Sequence, residues 1–390
     1  MKERRWLLAF DKFKDAIGAE EACRVAGEAL QSRSPKGAMD LCPLTDGGEG
    51  FARVLTRKSQ GELVQKKVCG PLGRPVDGEF GLVSWSHLSE GVKKRLGVPP
   101  NQEGVVGLVD MASASGLLRM LPAERNPWKT FSRGTGELCV AAAGRGADLL
   151  LVGIGGSGTS DLGLGCLQAL GLVALGPSGR EIPHLSPDQW EQVSRLEGNL
   201  PPQFPGIRVA CDVSNPLLGP RGAVRVYAPQ KGLPVSDLLP FERLFELMAR
   251  KLVAAKMRSD DLMEMPGTGA AGGIGFGLMA WDGAEMVSGA DLVMEWLDLT
   301  ARIRDADVVL TGEGRFDRSS LEGKGPSAVI RLALASGKKV HVFAGSVEPD
   351  LPLPAGLSVH EITPRGMTLP EALGRTGELL ARAVSAADLG

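Results

Sequence analysis

Short apolar runs alternate with longer amphipathic stretches along most of this chain. The short runs predict β-strands, over residues 4–10, 38–44, 105–111, 147–152, 207–210, 223–227, 306–310 and 340–344. Apolar residues at helical spacing predict helices, the clearest over residues 19–31, 136–144, 240–256, 291–305, 326–335 and 370–387. Strands that alternate with helices of this length indicate parallel βαβ units, and so an α/β fold.

Composition narrows the class of protein. At 390 residues the chain is long for one hydrophobic core, which favours two domains. The net charge of -2 offers no basic field for a nucleic acid, and no apolar run approaches the roughly 18 residues that span a bilayer. The N-terminal apolar run is too short for a signal peptide, and the six cysteines lack any Cys-x-x-Cys pair. We therefore expect a cytoplasmic protein with neither a nucleic-acid nor a membrane partner.

The most informative stretch is Gly153-Ile154-Gly155-Gly156-Ser157-Gly158-Thr159-Ser160-Asp161, which directly follows the strand predicted over 147–152. Its glycines let the main chain approach an anion closely, and its hydroxyl groups and a following helix N-terminus would add donors. The stretch fits a cradle for a phosphate or carboxylate. It fits equally well a tight turn in which glycine permits close packing, and this loop alone does not separate the two.

Acidic residues recur at the predicted strand ends. Five of these ends carry a carboxylate, at Asp11, Asp46, Asp161, Asp212 and Glu313. Ligands of open parallel sheets bind at the carboxyl ends of the strands, so five acids there favour a shared polyanion or metal site over packing turns. Asp46 fits a helix cap as well as a magnesium or proton-transfer site. Lys12 and Lys14, two apart after the first strand, suit a phosphate, although a solvated basic turn explains them too.

Several common catalytic arrangements are absent from the sequence. The four histidines lie outside every glycine-acid loop, so a carboxylate must perform any proton transfer, and no Walker A sequence occurs. Gly153, Gly155 and Gly158 do satisfy G-x-G-x-x-G between a strand and a helix, which keeps a nicotinamide-dependent dehydrogenase of a small hydroxy acid as the alternative function. The acid expected about 20 residues further on is Glu181, which lies in a predicted turn, and phosphoryl transfer is therefore favoured.

Eight motifs follow one another over more than 300 residues: Asp11-Lys12-Phe13-Lys14, Asp46-Gly47-Gly48-Glu49-Gly50, Gly134-Thr135-Gly136-Glu137-Leu138, Gly153-Ile154-Gly155-Gly156-Ser157, Cys211-Asp212-Val213-Ser214-Asn215-Pro216-Leu217, Pro229-Gln230-Lys231-Gly232, Gly269-Ala270-Ala271-Gly272-Gly273, and Thr311-Gly312-Glu313-Gly314-Arg315 with Asp317. In this order they resemble the type I glycerate kinase family. The resemblance covers the chain from end to end.

The resemblance implies ATP-dependent phosphorylation of D-glycerate, with 2-phosphoglycerate favoured over 3-phosphoglycerate, and ATP and Mg²⁺ as cofactors. It also implies a flavodoxin-like α/β domain built from both chain ends, residues 1–70 and 295–390, with a second α/β domain, residues 71–294, inserted between them. The active site is then expected in the cleft between the domains. The expected partners are D-glycerate and ATP, and association into a homo-oligomer is left open.

Roles follow for individual residues. We expect Lys12 and Lys14, with the N–H groups of residues 155–157, to hold phosphates or the glycerate carboxylate, and Arg315 to clamp a carboxylate. Asp212 and Asp46 are the expected magnesium ligands, and Asp161 or Asp46 the expected base. The catalytic set is Asp161, Asp46 and Lys12. The substrate and phosphate-binding set is Lys14, Gly155, Gly156, Ser157, Glu313, Arg315, Asp317, Asn215 and Lys231.

The chain departs from the family's usual pattern at three places. Asp15-Ala16 stands where a Gly-Ser pair is usual after the lysine motif. Gly158-Thr159-Ser160-Asp161-Leu162-Gly163 replaces the usual Ala-Thr-Asn-Asp-Gly-Gly, and Thr268 replaces a small alanine. The retained Ser157 and Asp161 keep the anion cradle as the expectation.

Overall fold

The computed structural model of the protein describes residues 4–99, 101–322 and 325–389. In chain order, strands β1 to β13 are Arg5–Phe10, Ala38–Leu41, Glu62–Cys69, Pro75–Ser84, Val105–Asp110, Leu149–Gly153, Val173–Leu175, Arg195–Glu197, Gly206–Ala210, Glu285–Val287, Val308–Phe316, Lys339–Val347 and Leu357–Glu361. Helices α1 to α15 are Ala19–Arg33, Phe51–Lys58, Glu90–Leu96, Met111–Ser115, Arg133–Gly144, Leu164–Ala169, Ala223–Tyr227, Leu238–Ala255, Ile274–Asp282, Gly289–Trp296, Leu299–Asp305, Ser319–Glu322, Pro326–Ala335, Leu369–Gly374 and Thr376–Ala386. The predicted α/β fold class is confirmed.

The chain forms two compact units. The first combines the residues up to Asp46 with those from Val293 onward, and the second runs from Gly47 to Leu292. We predicted that residues 1–70 belong with the C-terminal segment, but α2 and β3 lie in the second unit instead. The reason is sheet pairing, because β3 runs antiparallel to β4 over its whole length, from Glu62 opposite Leu82 to Cys69 opposite Pro75.

The first unit is built on a parallel sheet with the strand order β13-β12-β11-β1-β2. The last five residues of β1 are buried, as expected for a strand covered on both faces. Leu8 and Phe10 pack with apolar residues of α1 and α15, such as Ala26 and Leu380. Helices α11 and α13 also contact the sheet, but their side chains do not belong to this cluster. Because alternate residues of a strand face opposite sides of the sheet, these two helices are placed on the other face. The sheet therefore has helices on both faces.

The second unit is built on a mixed sheet with the order β10-β9-β6-β5-β4-β3. Pairs from β10 to β5 are parallel, while β4 and β3 extend the sheet as an antiparallel hairpin. A large apolar cluster fills this unit, with Leu150 and Val152 of β6 packed among side chains of α5, α6, α8 and α9. The carboxyl ends of β5, β6 and β9 consequently meet at one edge, where the loops with the predicted site residues begin.

Three predicted elements differ from the structure. Residues 223–227, predicted as a strand from their valines, form helix α7 after Gly222, with Ala223 and Val224 buried and Val226 exposed. A short apolar run does not distinguish strand from helix by periodicity, and packing decides it. The helices predicted over 291–305 and 370–387 each divide into two, the first at Asp298, which has a left-handed φ of 52°. Among the described helices, none is both long and apolar enough to cross a membrane.

Candidate functional site

Most charged candidates of the first unit lie at the carboxyl ends of its central strands. Asp11 and Lys12 follow β1 directly, and Asp46 follows β2. Glu313 and Arg315 form the last part of β11, which Asp317 follows. Because β2, β1 and β11 are adjacent and parallel, these ends share one edge of the sheet. The structure therefore brings together the acids and bases that the sequence placed at separate strand ends of this unit.

A lysine and a carboxylate pair at this edge. Lys12 Nζ lies 3.4 Å from Asp46 Oδ1, with side chains 27% and 49% exposed. Lys14 is exposed, and its main chain passes close to β11, since a Cβ on Gly314 would lie 3.3 Å from the Lys14 amide nitrogen. Both lysine residues thus have exposed surface at the carboxyl end of the central strands.

Two carboxyl groups at this edge have perturbed acidity. Burial, followed by the charge of Asp46, raises the pKa of Asp11 to about 6, although Lys12 opposes the change. Burial raises the pKa of Glu313 to about 7 although interaction with the Ser320 side chain opposes the change, and the charges of Asp11 and Asp317 add smaller increases. Glu313 Oε1 is buried without a hydrogen-bond partner. Carboxyl groups that titrate near neutral pH beside other charges are typical of functional sites.

An exposed arginine lies beside these acids. Arg315 Nε is 3.3 Å from Asp317 Oδ2, and the two side chains are 69% and 26% exposed. An ion pair this exposed contributes little to stability, so Arg315 can exchange Asp317 for another anion at low cost. A guanidinium group can bind a carboxylate through two parallel hydrogen bonds.

In the second unit, the glycines of the loop after β6 are required by close packing. A Cβ on Gly155 would lie 2.6 Å from the Cα of Gly48, and one on Gly158 would lie 2.9 Å from the main chain of Gly116. The Gly155 N–H donates to the Gly47 carbonyl at 3.0 Å, and the Gly158 N–H donates to the Ser115 carbonyl at 2.8 Å. The packing interpretation of this loop therefore holds for these glycines, and Gly155 does not have its N–H available for an anion.

Between these two glycines the loop holds a hydroxyl group against a buried lysine. Gly156 has a left-handed φ of 70°, and Ser157 is 8% exposed. Lys231 is 2% exposed, and its Nζ donates to Ser157 Oγ at 2.7 Å and to the Thr159 carbonyl at 2.5 Å. Burial lowers the pKa of Lys231 to about 7, opposed by the charge of Asp161. Lys231 thus binds the loop itself, where we predicted contact with phosphate.

Asp161 is enclosed by hydrogen-bond donors. Its side chain is 0% exposed. Oδ2 accepts from the Ser132 N–H at 2.7 Å, the Ser132 hydroxyl at 2.7 Å and the Gly165 N–H at 3.1 Å, and Oδ1 accepts from the Thr159 hydroxyl at 3.0 Å. The carboxylate therefore ties the start of α5 and the start of α6 to the loop. This environment does not favour the proton-transfer role that we predicted for Asp161.

The candidates after β9 also bond within the protein. Asn215 Nδ2 donates to the Arg221 carbonyl at 2.7 Å, while its Oδ1 accepts from the Tyr227 hydroxyl at 2.8 Å. Asp212 Oδ1 accepts from the Ser288 hydroxyl at 3.3 Å and the Asp212 side chain is only partly buried. Asn215 thus shapes its own loop, and Asp212 keeps one side toward solvent.

Asp110 was missed by the sequence reasoning. It ends β5 and is 2% exposed, with Oδ2 accepting from the Gly50 N–H at 2.7 Å and Oδ1 from the Ala112 N–H at 2.9 Å. It therefore fixes the end of the 47–50 turn and the start of α4. The available signal was an acid one residue before the end of the strand predicted over 105–111, but Met111 and Ala112 follow it instead of glycine.

Two departures from the family pattern have a common backbone property. Asp15 and Leu162 both replace a glycine of the resembled motifs, and both have left-handed φ values, of 62° and 55°. A left-handed conformation is costly for a residue with a Cβ, and Leu162 offsets that cost by full burial in the core. The third departure, Thr268, donates its hydroxyl to the Met265 carbonyl at 2.7 Å.

The dinucleotide-binding alternative finds no matching geometry. Gly153 and Gly155 approach another loop of the protein, and α6 starts only at Leu164, beyond Gly158. Glu181 is exposed and bridges to Leu175 in an antiparallel arrangement, away from the end of any parallel strand. The nicotinamide-dependent dehydrogenase therefore loses its support.

A parallel sheet whose strand ends carry acids, lysines and an exposed arginine suits an α/β enzyme that acts on an anionic substrate. A family profile described as the glycerate kinase family matches residues 6–387. The chain belongs to the glycerate kinase family, and it is an enzyme of the kinase class.

Individual relatives agree with this assignment. The chain is 37% identical over 351 residues to a glycerate kinase of Bacillus subtilis (strain 168), which covers 88% of this chain and 85% of that protein. It is 36% identical over 350 residues to a glycerate 2-kinase of Escherichia coli (strain K12), covering 88% and 86%. A crystal structure of a protein provisionally named glycerate kinase 2, from Salmonella typhimurium LT2, has a TM-score of 0.74 at 32% identity, covering 98% of this chain and 97% of that one.

Proposed function

We propose that this protein phosphorylates D-glycerate with ATP and that 2-phosphoglycerate is the product. The relatives named glycerate kinase and glycerate 2-kinase support the substrate and the position of the new phosphate. The observation that carries the proposal is the charged edge of the first unit, where Lys12 and Arg315 lie among carboxyl groups with raised pKa values. Such an edge has cations for an acid substrate and a base for its hydroxyl group.

In this proposal Lys12 and Lys14 neutralise phosphate oxygens, and Arg315 binds the glycerate carboxylate. Phosphoryl transfer needs little covalent chemistry from the protein, so positioning and charge neutralisation supply most of the rate enhancement. Arg315 suits the carboxylate because its exposed guanidinium can release Asp317 and form two parallel hydrogen bonds.

Glu313 is the base of the proposed reaction. A general base is most effective when its pKa lies near the working pH, and the pKa of Glu313 is about 7. Its Oε1 has no hydrogen-bond partner to give up before accepting a proton from the glycerate hydroxyl. Asp161, by contrast, accepts four hydrogen bonds that it would have to give up before accepting a proton. Asp46 remains a further candidate through its solvent exposure.

In the first unit, a magnesium ion held jointly by the protein and the nucleotide fits better than one enclosed by protein ligands alone. Within residues 4–99, 101–322 and 325–389, no three His, Cys, Asp or Glu side chains converge on a metal position. Mg²⁺ usually takes only one or two protein carboxylates and completes its shell with water and nucleotide phosphates. In the first unit Asp46 would supply one such carboxylate, and Asp212 is the corresponding candidate of the second unit. The ion would neutralise phosphate charge. The repulsion between Asp11 and Asp46, which raises the pKa of Asp11, is what a bound cation would relieve.

A coupled assay of ADP release with D-glycerate tests the proposal. We expect ADP to appear only when ATP, Mg²⁺ and D-glycerate are all present, and phosphorus NMR to identify 2-phosphoglycerate. Glu313→Gln should lower kcat by about 10²- to 10⁴-fold, the usual contribution of a general base. Glu348→Gln, on an exposed residue of the same unit, is the control. Absence of ADP release by the purified enzyme would overturn the function, and 3-phosphoglycerate as the product would overturn the position of transfer.

A further inference from the structure

The buried lysine of the second unit has an unusual position for a charged side chain. Lys231 ends a tight turn that starts at Pro229, and Gly232 after it has a left-handed φ of 95°. A Cβ on Gly232 would lie 2.2 Å from the Arg125 carbonyl oxygen, so the turn is packed tightly against the neighbouring segment. Lys231 lies in this tightly packed turn with its side chain 2% exposed, which excludes direct contact with a large ligand.

The hydrogen bonds of Lys231 determine what the Ser157 hydroxyl can do. Because Nζ donates to Ser157 Oγ at 2.7 Å, that oxygen acts as an acceptor toward the lysine, and its own proton is left to be donated elsewhere. The second bond, to the Thr159 carbonyl, holds the main chain on the other side of Gly158. Lys231 thus fixes both the hydroxyl and the path of the loop around it.

Gly156 is the exposed residue of this part of the loop, and its carbonyl accepts from the Leu117 N–H at 2.9 Å, while Ser157 beside it is 8% exposed. The amides on either side of these two residues, at Gly155 and Gly158, are bonded to carbonyl groups of the protein. The left-handed conformation of Gly156 turns the chain at this point, and successive N–H groups in such a turn form a concave anion-binding arrangement. A buried ammonium behind the hydroxyl adds positive charge without occupying the ligand position.

We propose that Lys231 is a positioning residue for substrate binding, which acts through Ser157 by presenting its hydroxyl as a donor to an anionic oxygen. The ligand class is a carboxylate or phosphate oxygen, supplied by glycerate or by ATP. The inference rests on the proposed function for the identity of these two ligands. Lys231 itself does not touch the substrate, and Asp161 and Arg125 are the charged residues next to its position.

A double-mutant cycle with Lys231→Met and Ser157→Ala tests this. Loss of one hydrogen bond to a charged ligand costs about 1.5 to 3 kcal/mol, so each single variant should raise one KM by about 10- to 100-fold while kcat falls less. The KM affected identifies the ligand, D-glycerate for a carboxylate or ATP for a phosphate. Because both variants remove the same interaction, the double variant should be no worse than Lys231→Met within about threefold.

The matched control is Lys251→Met, which removes a partly buried lysine of this unit that also donates to a main-chain carbonyl, that of Val193. It should leave both KM values unchanged. Lys231→Met leaves the buried Thr159 carbonyl without its donor, so we expect Tm to fall by a few degrees, partly offset because the desolvation cost of a buried ammonium is removed. If this variant fails to fold, Ser157→Ala alone still decides, since an unchanged KM for both ligands contradicts the proposal.

Two further results would overturn it. One is a double variant whose KM change equals the product of the single changes, which means that Lys231 does not act through Ser157. The other is a normal KM in folded Lys231→Met. Titration calorimetry with ATP and with D-glycerate measures the ratio of variant to wild-type affinity for each ligand without turnover. It therefore tests this proposal even if the wild type releases no ADP and the proposed kinase function fails.

Discussion

Replacing Asp161 distinguishes a positioning role from a role in the reaction. Asp161→Ala leaves two buried main-chain donors, the N–H groups of Ser132 and Gly165, without an acceptor. Each unsatisfied buried group costs about 1 to 3 kcal/mol, while the Ser132 and Thr159 hydroxyls can rotate, so we expect a loss of about 2 to 6 kcal/mol. For a unit of this size about 4 kcal/mol corresponds to a decrease in Tm of roughly 10 °C.

Asp161→Asn should behave differently. Its amide oxygen can occupy the Oδ2 position and keep three donors, and its amino group can donate to Thr159, whose hydroxyl turns to accept. Loss of charge-assisted bonding should cost only about 1 to 2 kcal/mol, and turnover should stay within about tenfold of the wild type.

Thermal unfolding and the ADP-release assay, applied to both variants, decide between the roles. Asp148→Ala is the control, because it removes a single exposed bond to the Val105 N–H. A fall in kcat of more than about 10³-fold in Asp161→Asn with a normal Tm would refute our reasoning and restore Asp161 as the base. A normal Tm in Asp161→Ala would equally refute the positioning role.

Three further predictions concern packing, acidity and catalysis. Gly155→Ala should lower Tm, because its Cβ would lie 2.6 Å from a main-chain carbon, whereas Gly144→Ala, with nothing within 4 Å, should preserve or raise it. Burial, followed by the effect of His360, lowers the pKa of His341 to about 4. The unfolded chain therefore takes up this proton below about pH 6.5 and the folded chain only near pH 4, so stability is full above 6.5 and falls as the pH decreases toward 4. His341→Phe should reduce this loss, measured as Tm between pH 4.5 and 7.5. In the ADP-release assay, kcat should fall below about pH 7 as Glu313 takes up a proton, and the residual activity of Glu313→Gln should lack this step; an unchanged step in that variant would exclude Glu313 as the base.

The sequence alone predicted those strands and helices whose type is determined by their local pattern of apolar and polar residues. The buried run of β1 was predicted from a short apolar run that ends at Asp11, and the strand before Gly153 from an apolar run that ends in glycines. Helix α7 was predicted wrongly because its valines favour a strand in isolation, and only packing after Gly222 makes the segment helical. The predicted domain boundary at residue 70 differs from the structure for a similar reason, because the pairing of β3 with β4 depends on tertiary structure.

In the candidate site too, some features followed from the local sequence and others depended on tertiary structure. Acids at strand ends were visible in the sequence, and β1, β2 and β11 do carry theirs to one sheet edge. Whether an acid faces solvent or is enclosed depends on distant segments, and Asp161 and Glu313 look alike in sequence although one accepts four hydrogen bonds and the other has an oxygen without a partner. The buried position of Lys231 was equally hidden in the sequence, because the Arg125 segment against which its turn packs lies far away in the chain.

The pairing of β1 with β11 has a consequence for the order of folding during synthesis. The Thr311 hydroxyl donates to the Ala9 carbonyl, across 302 positions of sequence. The ribosome releases the chain from its N-terminus, so the first two strands of this sheet must wait, without their central partner, while residues 47–292 emerge and can fold as a continuous segment. Closing so long a loop is slow, and the exposed edge of β1 is open to wrong pairing in the meantime. A nascent chain stalled before β11 should therefore show a protease-sensitive N-terminus beside a protected second unit, and chaperones that bind apolar strands should recognise Leu7 to Phe10 during that interval.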